Sequence, residues 1–65
     1  MNEDADHFQL QLNRKQLVAL YMVLTESENG LDAAQRGLYR QICDAVYSAL
    51  SVEELENVEL YYRSL

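Results

Sequence analysis

The sequence contains no proline and no tryptophan, and only two glycines and one cysteine occur among its 65 residues. A single cysteine cannot form an internal disulfide, which favours a reducing, cytoplasmic location. Low glycine content together with 49% apolar residues argues against collagen-like or low-complexity sequence. The longest apolar run, Leu17–Leu24, has eight residues, far fewer than the roughly 18 needed to span a membrane. We therefore expect one small domain that does not cross a membrane.

The sequence also has few of the residues from which catalytic and metal sites are built. His7 and Cys43 are its only histidine and cysteine, whereas a specific metal site needs three or four well-held ligands. A nucleophilic Cys–His pair also needs a third, orienting group. Two isolated glycines cannot form a phosphate-binding loop. We expect no enzymatic activity, no metal and no cofactor.

Basic residues are scarce as well. Five Lys and Arg stand against eleven Asp and Glu, so the net charge is −6. Residues 1–12 and 51–65 each carry a net charge of −3, while the middle of the chain is neutral. This distribution repels nucleic-acid phosphates and anionic membranes at long range. We expect that the charge mainly serves solubility. The alternative is a surface that binds a basic protein partner, including a surface that mimics DNA.

The N-terminal region divides into two parts. Residues 1–6 lack apolar periodicity and are predicted to be a disordered acidic tail, which leaves 7–65 as a single helical domain. Phe8, Leu10 and Leu12 alternate with glutamines, a pattern that predicts a short half-buried β-strand. No second strand is predicted, so this one either pairs with its copy in a second subunit or lies extended over the helices.

Three helix starts follow, each marked by a capping box, in which a short polar residue precedes Gln or Glu by three positions. The boxes predict helices at about 14–28, 33–49 and 52–63, and their residue pairs are Asn13 with Gln16, Asp32 with Gln35, and Ser51 with Glu54. The predicted fold is mainly α, a short N-terminal β-strand followed by three helices in a small helical bundle.

The first predicted helix is apolar around almost its whole circumference, which indicates burial on more than one side. A second subunit would cover the excess apolar surface, so we expect a homodimer. The alternatives are a groove for a partner helix and a monomeric three-helix bundle. The predicted dimer interface comprises Phe8, Leu10, Leu12, Val18 and Met22.

Tyrosine is frequent, with five residues in this short chain. Tyr39, Cys43 and Tyr47 are spaced so that they stack along one flank of the second helix. Tyrosine combines a large apolar ring with a polar tip, which suits contact surfaces. We predict that Tyr39, Tyr47 and Tyr61 bind a protein partner. Alternatively, these rings only cover the edge of a small core.

Two local features are unfavourable by themselves. Arg14 and Lys15 begin the first helix, where cations oppose the helix dipole. We expect both charges to be solvated. The alternatives are a compensating contact, with the acidic third helix or a partner's acidic tail, and a bound phosphate. Gly37 lies inside the second helix, at a cost of about 1 kcal/mol relative to Ala. Together with Ala33 it leaves a smooth patch. We expect that Gly37 is merely tolerated there, and the alternative is that another backbone approaches this patch closely.

The order of a strand at Phe8–Leu12, a helix, the Asn29–Gly30 turn and a second helix resembles the ribbon-helix-helix family of dimeric DNA-binding proteins. The resemblance implies strands paired across a dimer, with Gln9 and Gln11 facing the bases. The net charge of −6 and a strand without Arg or Lys oppose that function. We expect a small acidic regulatory or interaction protein. The alternatives are a ribbon-helix-helix-like transcriptional regulator and a structural or assembly subunit.

Overall fold

A computed structural model of the chain describes residues 8–65, of which 78% are helical. The predicted tail at residues 1–6 and His7 lie outside these residues. There are four α-helices, so the mainly α prediction is confirmed. They are α1 (Arg14–Glu26), α2 (Ala33–Ala49), α3 (Val52–Glu56) and α4 (Val58–Ser64), and a 3₁₀ turn, Glu28–Gly30, follows α1.

All three capping boxes are present. The Asn13 side chain accepts a hydrogen bond from the Gln16 amide at 2.8 Å, and the Gln16 side chain accepts one from the Asn13 amide at 3.0 Å. Asp32 with Gln35 and Ser51 with Glu54 form the same reciprocal pairs. These bonds satisfy amide groups that the first turn of a helix leaves without partners. The predicted starts at 14, 33 and 52 are therefore confirmed.

The predicted N-terminal strand is wrong, because residues 8–65 contain no strand. A strand is stabilised by backbone pairing with a neighbouring strand, and the remainder of the described chain is helix and turn. Phe8 and Leu10 are 91% and 75% exposed, whereas Leu12 packs against the core just before the α1 cap. Of the three alternating apolar residues, Leu12 is thus partly buried, and Phe8 and Leu10 are exposed.

The predicted third helix is interrupted. Asn57 leaves the helical region, with φ −132° and ψ 57°, and separates α3 from α4. Asparagine tolerates such a break because its short polar side chain competes with helical backbone hydrogen bonding. The interruption lets both segments reach the same core, since Leu55 from α3 and Val58 from α4 pack against it.

The core is small and centres on α1. It consists of six buried apolar residues, namely Val18, Leu24, Leu31, Ile42, Val46 and Leu50. Helix α1 contacts both α2 and α4, so two sides of its apolar surface are covered within one chain. Leu17, Leu20 and Tyr21 are partly buried as a result. Among the apolar residues of α1, Val23 stays largely exposed, at 59%.

Replacing Gly37 tests whether another backbone packs closely against the face of α2 that carries this residue. A Cβ added there would meet no atom within 4 Å. We expect Gly37→Ala to raise the free energy of unfolding by about 1 kcal/mol, because alanine is the better helix former. Urea denaturation measures this change. The reverse substitution at an exposed position of the same helix, Ala45→Gly, should lower it by a similar amount. A destabilised Gly37→Ala protein would instead show that another backbone approaches this position.

Candidate interaction surface

The two cations at the start of α1, Arg14 and Lys15, contact residues that lie 35 to 50 positions later in the chain. The Arg14 guanidinium donates to the Ala49 carbonyl at 2.8 Å and to the Tyr61 hydroxyl at 3.3 Å. Ala49 ends α2, where free carbonyls carry partial negative charge, so the guanidinium lies at a favourable helix terminus. The expectation of a merely solvated cation is therefore wrong for Arg14, because carbonyl and phenol oxygens, and no carboxylate, provide a compensating contact.

Lys15 makes the matching contact with the end of α4. Its Nζ donates to the Leu65 backbone oxygen at 3.3 Å and lies 5.0 Å from the centre of the Tyr62 ring. A cation at this distance over an aromatic face is attracted by the π electrons of the ring. Arg14 and Lys15 therefore both contact the C-terminal region, and Tyr61 is occupied by an internal hydrogen bond.

Three other tyrosines form a cluster on the α1–α2 side. The Tyr21 ring lies 6.5 Å from that of Tyr39, nearly parallel to it, and 6.4 Å from that of Tyr47, edge to face. Both arrangements are favourable for aromatic pairs. We refer to Tyr21, Tyr39 and Tyr47 as the tyrosine cluster. It presents Tyr47 to solvent at 57% exposure and keeps the other two rings partly buried.

Polar contacts fix one end of the tyrosine cluster. The Tyr39 hydroxyl lies 3.0 Å from the Thr25 hydroxyl and donates to the Glu28 carboxylate at 3.4 Å. The Thr25 bond lowers the pKa of Tyr39, but desolvation and the neighbouring Cys43 outweigh it, so the pKa is raised. Tyr39 therefore links α2 to the end of α1 and to the turn after it.

Interaction with the Tyr21 phenol raises the pKa of Tyr47 to about 12, and the nearby Cys43 contributes. Cys43 is partly buried between the two tyrosines of α2. Both neighbours favour a neutral phenol, since a negative charge placed beside other acidic groups is unfavourable. The tyrosine cluster is thus an uncharged surface in an otherwise acidic protein.

The sequence-predicted site residues do not come together in one place. Of the predicted dimer interface, Phe8 and Leu10 are exposed, Leu12 and Met22 are partly buried, and Val18 is fully buried in the core of its own chain. Of the predicted partner-binding residues, Tyr39 and Tyr47 belong to the tyrosine cluster, whereas Tyr61 lies on α4 beside Arg14.

Sequence reasoning missed the residues between α1 and α4. Tyr21 joins the tyrosine cluster and also lines an open depression with Val58. Nothing in the local pattern pairs α1 with a helix that begins more than thirty residues later. The signal that was available is the surplus of apolar residues on the first helix, which indicated a second contact face.

The described residues contain neither a group of metal-binding side chains nor a helix that could span a membrane. Within 8–65, no group of three or more His, Cys, Asp or Glu side chains is placed to hold a metal ion. In the same part of the chain, no helix has both the length and the apolar character that a membrane crossing requires. The ribbon-helix-helix resemblance depended on the N-terminal strand, which these residues do not contain.

Comparison with known proteins gives no relative. No protein family, no curated protein and no solved structure matches the chain.

The raised pKa of Tyr47 predicts how stability responds to alkali. Tyrosine in the unfolded chain ionises near pH 10, whereas the folded protein keeps Tyr47 neutral until about pH 12. The stabilisation is complete below pH 10 and is lost as the pH rises towards 12. Urea denaturation across this range should show a smaller decrease for Tyr47→Phe than for the unchanged protein. Identical decreases would contradict the assignment.

Proposed function

We propose that this chain is a small, non-enzymatic interaction protein that binds another protein through the tyrosine cluster. The observation that carries the proposal is the gathering of three tyrosine rings, in which Tyr39 and Tyr47 lie 6.5 and 6.4 Å from Tyr21 and Tyr47 is exposed. Tyrosine is enriched at protein interfaces because its rigid ring buries much area at little entropic cost while its hydroxyl still forms hydrogen bonds.

The surface is also suited to recognition because it is held in place before any partner arrives. Tyr39 is fixed by Thr25 and Glu28, and its ring stacks on Tyr21. Side chains already fixed in the free protein lose less conformational freedom on binding. Tyr47, at the exposed edge of the tyrosine cluster, is then the side chain whose burial contributes most to binding.

The proposal is tested with matched baits. Tyr47→Ser removes the exposed ring, and Gln41→Ser changes an exposed residue six positions earlier, about 120° away around α2. We expect a protein captured from cells by the unchanged chain and by Gln41→Ser to be lost with Tyr47→Ser. Circular dichroism should show the same helix content for all three. If all three capture the same proteins, the tyrosine cluster is not the binding surface.

We further propose that the chain acts as a homodimer in which the N-terminal arm, residues 8–12, contacts the second copy. Phe8 and Leu10 support this, since both are largely exposed within one chain and large exposed apolar groups mark interaction sites. Met22 can contribute at its exposed part. Val18 has no exposed surface, so it would affect the dimer only indirectly, by stabilising the core of its own subunit.

Light scattering on a sizing column tests the dimer. We expect a mass of twice 7.5 kDa for the unchanged chain and a fall towards the monomer mass for the double variant Phe8→Ser, Leu10→Ser. Val52→Ser removes an equally exposed apolar residue on α3 and should leave the dimer intact. A monomer mass for the unchanged chain at every concentration would refute the dimer, and so would dissociation by Val52→Ser alone.

A further inference from the structure

Two shallow depressions lie side by side between α1 and α4, separated by Met22. Each has a volume of about 180 Å³, which is comparable to the roughly 150 Å³ apolar cavity that accepts a benzene ring. Each can therefore receive one apolar side chain. The first is lined by Tyr21, Met22, Thr25, Glu26, Val58 and Glu59, and the second by Ala19, Met22, Val23, Glu26 and Tyr62. We refer to the two together as the Met22 groove.

The spacing of the Met22 groove matches that of a helix. Val58 lines the first depression and Tyr62 the second, and these residues are four positions apart on α4. Four positions on a helix correspond to slightly more than one turn, or ~6 Å along its axis. Two side chains one turn apart on an incoming helix could enter the two depressions together, as in helix-in-groove recognition. Methionine, which divides them, is flexible and adapts to different apolar shapes.

The charge of the Met22 groove selects the partner. Glu26 lines both depressions and Glu59 lines the first. Lys15, which lies over the Tyr62 ring at the second depression, already donates to the Leu65 backbone oxygen. The acidic N-terminal segment of a second copy is a poor fit, because Glu3, Asp4 and Asp6 precede Phe8 and would meet charges of the same sign. Basic side chains flanking the apolar ones would instead be attracted to this rim.

We propose that the Met22 groove binds a basic amphipathic helix of another protein, which inserts two apolar side chains one turn apart on either side of Met22 and places Lys or Arg beside Glu26 and Glu59. This inference rests on the proposed function, since Tyr21 belongs both to the tyrosine cluster and to the groove. The partner would lie along α1 and α4, with one edge against the tyrosine cluster.

The direct test uses two synthetic helical peptides of about 14 residues, or ~21 Å when helical. Both carry leucines four positions apart, and their polar positions are lysine in one and glutamate in the other. NMR titration of the full chain should show the lysine peptide shifting the Met22 methyl signal and binding at least tenfold more tightly than the glutamate peptide. Its affinity should fall as salt is added, because exposed charges are screened. Equal affinities, or no binding of the lysine peptide at millimolar concentration, would overturn the proposal.

Variants locate the binding site. The double reversal Glu26→Lys, Glu59→Lys should weaken the lysine peptide roughly tenfold, since several exposed charge pairs become repulsive. Asp44→Lys makes the same kind of change at an exposed residue of α2 outside the groove and should have a much smaller effect. Val23→Lys places a cation at the second depression, at a residue already 59% exposed, so it should block the peptide without unfolding the chain. Equal weakening by Asp44→Lys would exclude the groove as the site.

The outcomes separate this inference from the proposed function. If Tyr47→Ser abolishes protein capture but the lysine peptide does not bind, the proposed function is supported and the proposal that the Met22 groove binds a helix is refuted. If the lysine peptide binds but Tyr47→Ser captures the same proteins as the unchanged chain, the tyrosine cluster is not the binding surface. The proposal for the Met22 groove is then supported independently of it. If the Glu26→Lys, Glu59→Lys variant changes the solution mass and the peptide does not bind, a second copy occupies the groove and the proposal fails.

Discussion

The fold depends on α1 being covered from two sides. It packs against α2 and α4, and its Val18 is fully buried in a core of only six residues. A chain of this size buries only about 60% of the surface that its unfolded form exposes, less than larger domains do, so its stability has little reserve. The cations at the start of α1 reinforce the arrangement, because Arg14 joins the end of α2 to Tyr61 and Lys15 contacts the end of α4. Charges that would be unfavourable on an isolated helix thus become links between elements.

The features that the sequence predicted well are those determined by a few neighbouring residues. Each capping box involves two residues three positions apart, so Asn13, Asp32 and Ser51 could be identified as helix starts without knowledge of the remaining structure. The observed span of α2, Ala33–Ala49, agrees with the predicted 33–49. Local chemistry is sufficient for such features because the hydrogen bonds concerned form within one turn.

Features that depend on distant residues were predicted poorly. The alternation at Phe8–Leu12 has the strand period, but a strand needs a paired neighbour, and the described residues supply none. The break at Asn57 carries no proline or glycine signal and arises where the chain turns so that Val58 and Tyr62 reach α1. For the same reason the Met22 groove was not foreseen, since its walls come from helices far apart in sequence. The excess of apolar residues on α1 indicated a second contact face on that helix, but it did not show that α4 covers part of this face.

The shortness of α4 has a consequence for motion. Its seven residues are well below the roughly 12–15 at which an isolated helix becomes marginally stable in water. Its helical state is therefore maintained by docking, through Lys15, Tyr62 and the contacts of Val58 with the core. Segments held by so few contacts open locally with a lower free energy than the whole domain. The wall of the Met22 groove that α4 forms can thus open locally and re-form at a lower free-energy cost than unfolding of the whole domain, which would allow the groove to adjust its width to the helix it receives.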